Sequence, residues 1–275
     1  MAYLLLLPGG IWLLLFYVVP TISMLSVSLQ EGSLEQGYRL TWNFSVYGEV
    51  LLRNDTQIIR SVLYGLITTV VTLLIAYPLA YTIAFHGGRL KNALLFLVIL
   101  PFFVSFIIRT IQWKFVLADE GIILGTLKSL GLLGQGFHVL GENVAVLGGL
   151  IYNFLPFMTL PLYVVLEKMD KDLLDAAGDL YSSRVAAFFR VTFPLSLPGV
   201  FAGSLLTFIP SVGDFINATY LGSPSTTMIG NVIRAEFLRN NDYPEAAALS
   251  FVLMAAILLG VAVYARLLGT EELTG

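Results

Sequence analysis

Residues 144–166 read VAVLGGLIYNFLPFMTLPLYVVL, a run with no charged side chain. A helix rises about 1.5 Å per residue and a bilayer core is about 30 Å thick, so about 20 such residues cross it. Residues 1–30, 61–85, 191–213 and 246–265 are also uncharged and long enough. Residues 93–108 form a shorter block that continues through Arg109 into Ile111, Trp113 and Phe115. Six transmembrane helices are therefore expected. These runs exceed the length of a barrel strand, and a helix satisfies its own backbone in lipid. The first block has no charged leading segment and outlasts the apolar core of a secretion signal, so it reads as a retained helix.

Composition agrees. Of 275 residues, 57% are hydrophobic and only 12% charged, and mean hydropathy is +0.84. An ordinary soluble domain carries about 25% charged residues, so a soluble enzyme is excluded. The net charge of -3 gives no basic face for nucleic acid. Without cysteine there is no disulfide and no thiolate metal site. His86 and His138 fall in loops on opposite sides, so no metal site is expected from them.

Six crossings put both termini on one side, but cation counting does not say which. Seven cations fall on one side (Arg89, Lys91, Lys168, Lys171, Arg184, Arg190, Arg266) and eight on the other (Arg39, Arg53, Arg60, Arg109, Lys114, Lys128, Arg234, Arg239). Prolines 8, 20, 78, 101, 156, 161 and 210 interrupt the apolar blocks. Most read as packing kinks. Pro210 stands apart because Gly213-Asp214 follows within a turn, and unwound backbone near the midplane marks a transport path. Asp214 and Arg109 are the two charges inside apolar blocks, each costing about 2.5–3.5 kcal/mol at a helix centre. Two readings stay open. Either Asp214 lines a path and attracts a cationic amine, with Phe215, Trp113, Tyr152 or Tyr220 offering ring faces, or Asp214 and Arg109 pair structurally. Arg109 repels a polycation, so it reads as a structural or gate element.

The segment 167–194, EKMDKDLLDAAGDLYSSRVAAFFRVTFP, separates two of the apolar blocks. Leu173, Ala177 and Leu180 recur at the spacing of one helix face, with Asp172 and Asp175 at its start. Val185, Phe188 or Phe189, and Thr192 give a second short stripe, and Pro194 and Pro198-Gly199 then mark entry to the next span. A paired amphipathic helix outside the membrane suits a partner's groove.

Here the sequence resembles the EAA loop of ABC importer permeases, the binding-protein-dependent (MetI-like) superfamily. Asp175-Ala176-Ala177, Tyr181 and Val191-Thr192-Phe193-Pro194 keep the spacing of that motif, with Asp for Glu and Tyr181 where the family has Gly. Tyr152-Asn153-Phe154-Leu155-Pro156-Phe157-Met158, residues 208–215 and residues 228–233 are similar to the PotB-type permeases of spermidine/putrescine importers. The resemblance implies an all-α integral membrane protein: one permease domain over residues 1–275, six transmembrane helices and a cytoplasmic EAA coupling loop at about 167–194. It implies that Asp172, Leu173, Leu174, Asp175, Ala176, Ala177, Asp179, Leu180 and Tyr181 dock into an ATPase. It implies a bacterial inner-membrane location with both termini cytoplasmic. The implied partners are an ABC ATPase dimer, a second related permease in a heterodimer, an extracytoplasmic substrate-binding protein and membrane lipid. No catalytic residue, metal or cofactor is expected on this chain; ATP and Mg belong to the ATPases, and no P-loop occurs here. Other solutes of such importers (thiamine, ferric iron, an organophosphonate) are the alternative cargo, and a self-contained channel or secondary transporter is the alternative class.

Overall fold

The computed structural model describes residues 2–170, 172, 173, 180 and 183–268. Helix α1 (Leu6–Ser28) leads into a hairpin of β1 (Gln30–Ser33) and β2 (Gly37–Leu40). A short α2 (Ser45–Arg53) precedes the long α3 (Asp55–His86). Then come α4 (Gly88–Phe103), α5 (Phe106–Val116), α6 (Ile122–Ser129) and α7 (Asn143–Glu167). The described chain ends with α8 (Val185–Val212), α9 (Ile216–Leu221), α10 (Ile229–Ala235) and α11 (Tyr243–Leu268). Among the described residues α1, α3, α7, α8 and α11 are each long and apolar enough to cross a membrane.

The sixth expected crossing departs from the sequence reading. It is not one rod: α4 and α5 meet at 96°. Pro101 has no N–H to donate, and past it Val104 (φ -107°, ψ 135°) and Ser105 (ψ 136°) are extended. The helix restarts when Arg109 N–H donates to Ser105 O at 3.0 Å. A hydropathy run cannot register such a bend, because both limbs are equally apolar. A second correction concerns residues 185–193. They do not form a separate short helix but run unbroken into α8. The turn at Phe188–Thr192 is widened to a π-helix, so Pro194 is accommodated without a break.

The same device recurs. π-helical turns at Leu14–Val18 and Phe188–Thr192 each contain the residue four before a proline of the same helix, namely Phe16 and Arg190 ahead of Pro20 and Pro194. A proline ring clashes with that carbonyl, and widening the turn relieves it.

The core is a triangle of α3, α7 and α8. Ala76, Tyr77 and Ala80 pack on Met158, Leu162, Leu166 and Val200, all buried. In lipid, apolar burial gives helices little reason to associate, so close packing and interhelical hydrogen bonds must do it. Tyr77 and Ser196 share a 2.8 Å hydrogen bond between α3 and α8. Thr68 and Thr72 of α3, with Ser204, Thr207 and Ser211 of α8, are likewise buried, so the bundle interior is more polar than its rim. Gly203 lets α8 approach α7: an added Cβ would lie 2.8 Å from Met158 Sδ and 3.0 Å from its carbonyl oxygen. Gly203→Val is therefore expected to destabilise the protein by about 1–3 kcal/mol through overpacking, measured as a lower melting temperature in detergent micelles.

Helix α1 stands apart. Residues 6–18 are exposed throughout, and only the later half, through Met24 and Val27, lies against Ala246, Ala247 and Ser250 of α11.

Candidate functional site

Helix α8 ends at Gly213, and the chain turns directly into Asp214, which is buried at 8% exposure. The close approach of α10 requires glycine at position 230, where a Cβ would lie 2.5 Å from Gly213 O. Asp214 Oδ1 accepts the backbone N–H of Asn217 at 2.8 Å, which sets the first turn of α9. The side chain of Asn217 then meets Asn153 of α7, whose Nδ2 donates to Asn217 Oδ1 at 3.0 Å. The same Asn153 Nδ2 donates to Thr110 Oγ1 of α5 at 3.1 Å. Thr110, Asn153 and Asn217 are fully buried. Three separate elements are thus tied by side chains alone.

Arg109 is the neighbour of Thr110 on α5. Its Nη1 donates to Pro101 O at 2.7 Å, across the bend between α4 and α5. Its guanidinium lies 5.5 Å from the Phe106 ring centroid and 5.9 Å from that of Tyr152. Tyr152 in turn meets Trp113 edge to face at 5.2 Å. The structure therefore brings Arg109, Trp113 and Tyr152 together, and it links Asp214 to them through Asn217, Asn153 and Thr110. Phe215 faces elsewhere: its ring lies 5.3 Å from the Arg234 guanidinium and its carbonyl accepts Asn231 Nδ2 at 2.9 Å. Among the described residues no hydrogen bond or ring contact joins Tyr220 to this set. An Asp214–Arg109 ion pair is not formed among the described residues either; Arg109 rests on a carbonyl and two rings, with its Nε buried and unpartnered.

Asn153, Asn217 and Thr110 were not singled out in the sequence. Their signal was weak but present: two amides and a hydroxyl, uncharged polar groups among apolar residues, each needing a partner that lipid cannot supply. Gly149 belongs to the same group, since a Cβ there would lie 2.5 Å from Asn217 Oδ1.

Because Arg109 bridges the bend, Arg109→Gln is expected to loosen it. A hydrogen bond to a charged donor contributes about 1.5–3 kcal/mol, so melting in micelles should fall accordingly. Arg109→Lys should not fully restore it, lacking the planar fork that reaches a carbonyl and stacks on rings. Unchanged melting in both variants would remove Arg109 as the staple.

Of the residues expected to dock an ATPase, Asp172, Leu173 and Leu180 are helical and exposed. Leu174, Asp175, Ala176, Ala177, Asp179 and Tyr181 lie outside the described residues. At the root of that loop Lys91 of α4 ion-pairs with Glu167 of α7, and its ammonium lies 5.6 Å from the Tyr163 ring centroid. At the other end of the bundle the carboxylates of Glu236, Asp242 and Glu245 gather, with Arg53 ion-paired to Glu245. Burial raises the Asp242 carboxyl from its ordinary range, opposed by the nearby Arg53 charge.

The frame is a set of membrane-crossing helices with a polar layer sealed in its interior. The chain belongs to the family described as the binding-protein-dependent transport system inner membrane component, whose model matches residues 73–269. It is a multi-pass permease of the inner membrane. Curated relatives include the spermidine/putrescine transport system permease protein PotB of Haemophilus influenzae, 36% identical over 256 residues, covering 93% of this chain and 90% of that one. PotB of Escherichia coli is 34% identical, with 93% of each chain covered. The inner membrane ABC transporter permease protein YdcU of Escherichia coli is 33% identical over 78% of this chain and 72% of its own. Among solved structures, a chain of a bacterial ABC transporter for the acidic polysaccharide alginate superposes with a TM-score of 0.72 at 18% identity, covering 100% of this chain and 96% of that chain.

Proposed function

We propose that this permease carries polyamines, spermidine and putrescine, into the cytoplasm by alternating access, driven by ATP hydrolysed on partner subunits. The observation that carries this reading is the 36% and 34% identity to two PotB permeases across 93% of the chain. The interior chemistry is compatible with it. A buried carboxylate, two amides and the Tyr152–Trp113 rings are groups that receive ammonium ions in place of water.

In this reading ATP and Mg bind only to an ABC ATPase dimer on the cytoplasmic face. The segment 172–181 docks there, which makes both termini cytoplasmic. A second, related permease completes the path, and an extracytoplasmic binding protein delivers the amine to the segments 31–60, 117–143 and 220–245. Lipid surrounds the bundle. The test is uptake of radiolabelled spermidine and putrescine by cells deleted for this chain and complemented with it. Uptake restored by complementation, blocked by ATP depletion and competed by unlabelled amine is expected. Uptake that follows an ion gradient and ignores ATP would point to a secondary transporter instead.

A further inference from the structure

Thr110, Asn153 and Asn217 sit on α5, α7 and α9 with no exposed surface. The two hydrogen bonds among them leave Asn153 Oδ1 and Asn217 Nδ2 buried without a partner. Turning both amides over does not remove the deficit. The Thr110 hydroxyl then donates to Asn153, Asn217 donates to Asn153, and one amide N–H and one carboxamide oxygen are again left over. Buried polar groups without partners destabilise a fold, and an apolar layer would be more stable here. Gly149 is also committed to the arrangement, since any side chain there would displace Asn217. Asp214 is the next group along, holding the Asn217 N–H.

We propose that Thr110, Asn153 and Asn217 form a neutral amide constriction through which the substrate's ammonium groups pass, the unpaired carboxamide oxygen replacing water on the ammonium. This rests on the polyamine reading above and adds to it the residues that select the cargo. An ammonium has three donors and no acceptor, so an unpaired carboxamide oxygen complements it. Parting α7 from α9 breaks the Asn153–Asn217 bond and frees a second oxygen at the moment the layer opens. Neutral dipoles hold a cation firmly enough to admit it and weakly enough to release it, whereas a carboxylate at the same point would trap it. Asp214, one residue group further along, supplies the attraction that draws the amine in, opposed by the Arg109 charge beside Thr110, which is held on the Pro101 carbonyl and the Phe106 and Tyr152 rings.

The experiment uses cells lacking their own copy and carrying the full-length variants. Initial uptake of labelled spermidine and putrescine is measured against concentration, with the amount of protein in the membrane read by immunoblot. Asn153→Leu and Asn217→Leu are expected to lower the maximal rate per molecule by about tenfold or more with KM unchanged, since KM reflects delivery and the constriction sets passage. Asn153→Asp has the same shape and keeps the acceptor while adding a charge. It is expected to slow spermidine more than putrescine, because spermidine carries more charge, shifting their rate ratio by about threefold or more. Should the leucine variants fail to accumulate, the ratio in Asn153→Asp decides alone. Wild-type rates in both leucine variants, or an unchanged ratio in Asn153→Asp, would overturn the proposal. Wild-type protein that imports neither amine would overturn the polyamine reading itself, and this inference with it.

Discussion

Asp214→Asn should cut polyamine uptake by about 10- to 100-fold while leaving the protein folded in the membrane. An amide oxygen at this position still accepts the Asn217 N–H that Asp214 holds at 2.8 Å, so the first turn of α9 keeps its anchor. What is lost is the carboxylate buried beside the amide layer, at 8% exposure. A hydrogen bond between charged groups contributes about 1.5–3 kcal/mol, and each 1.4 kcal/mol is a factor of ten. Asp214→Ala is the harsher control: it removes both charge and anchor, so melting should fall as well as transport. If Asp214→Asn imports both amines at the wild-type rate with unchanged selectivity, Asp214 does not line the path.

Charge reversal in the coupling loop should have a larger effect and a different signature. Asp175→Lys is expected to abolish ATP-driven uptake and co-purification of the ATPase, with the permease still inserted and melting normally. On the proposed reading Asp175 meets a basic groove on the ATPase, and putting like charges together there costs several kcal/mol. The chain itself contains nothing that hydrolyses ATP, so a detached permease has no drive. An ATPase that stays bound and stimulated by this variant would show that docking rests on the apolar residues Leu173 and Leu174 rather than on charge.

Much of this architecture could be read from where charges are missing. The runs 61–85, 144–166, 191–213 and 246–265 became α3, α7, α8 and α11, because lipid permits one backbone solution to an uncharged stretch of that length. Three features were missed for physical reasons. The 96° bend after Pro101 leaves hydropathy unchanged, since Phe102, Phe103, Val104 and Phe106 are apolar on both sides of it. The Gln30–Leu40 hairpin carries few strand-forming residues and is held from outside, by Tyr38 donating to the Asn241 carbonyl at a left-handed backbone position. The polar layer escaped because charge was the guide. Charge picked out Asp214 and Arg109 correctly as buried, and suggested each as the other's partner. The pairs the chain forms are a carbonyl for one and a backbone N–H for the other, joined by amides that carry no charge.

The detachment of the first half of α1 from everything else has a mechanical consequence. With residues 6–18 facing outward on every side, no described part of this chain holds that half, and within the chain its anchorage is set by partition into the acyl chains. The half can tilt or slide when the bilayer thins or thickens without tugging on the rest, while Met24 and Val27 act as the hinge end. A thicker bilayer should therefore reorient Trp12, seen as altered quenching by brominated acyl chains, and leave the environment of Trp113 unchanged.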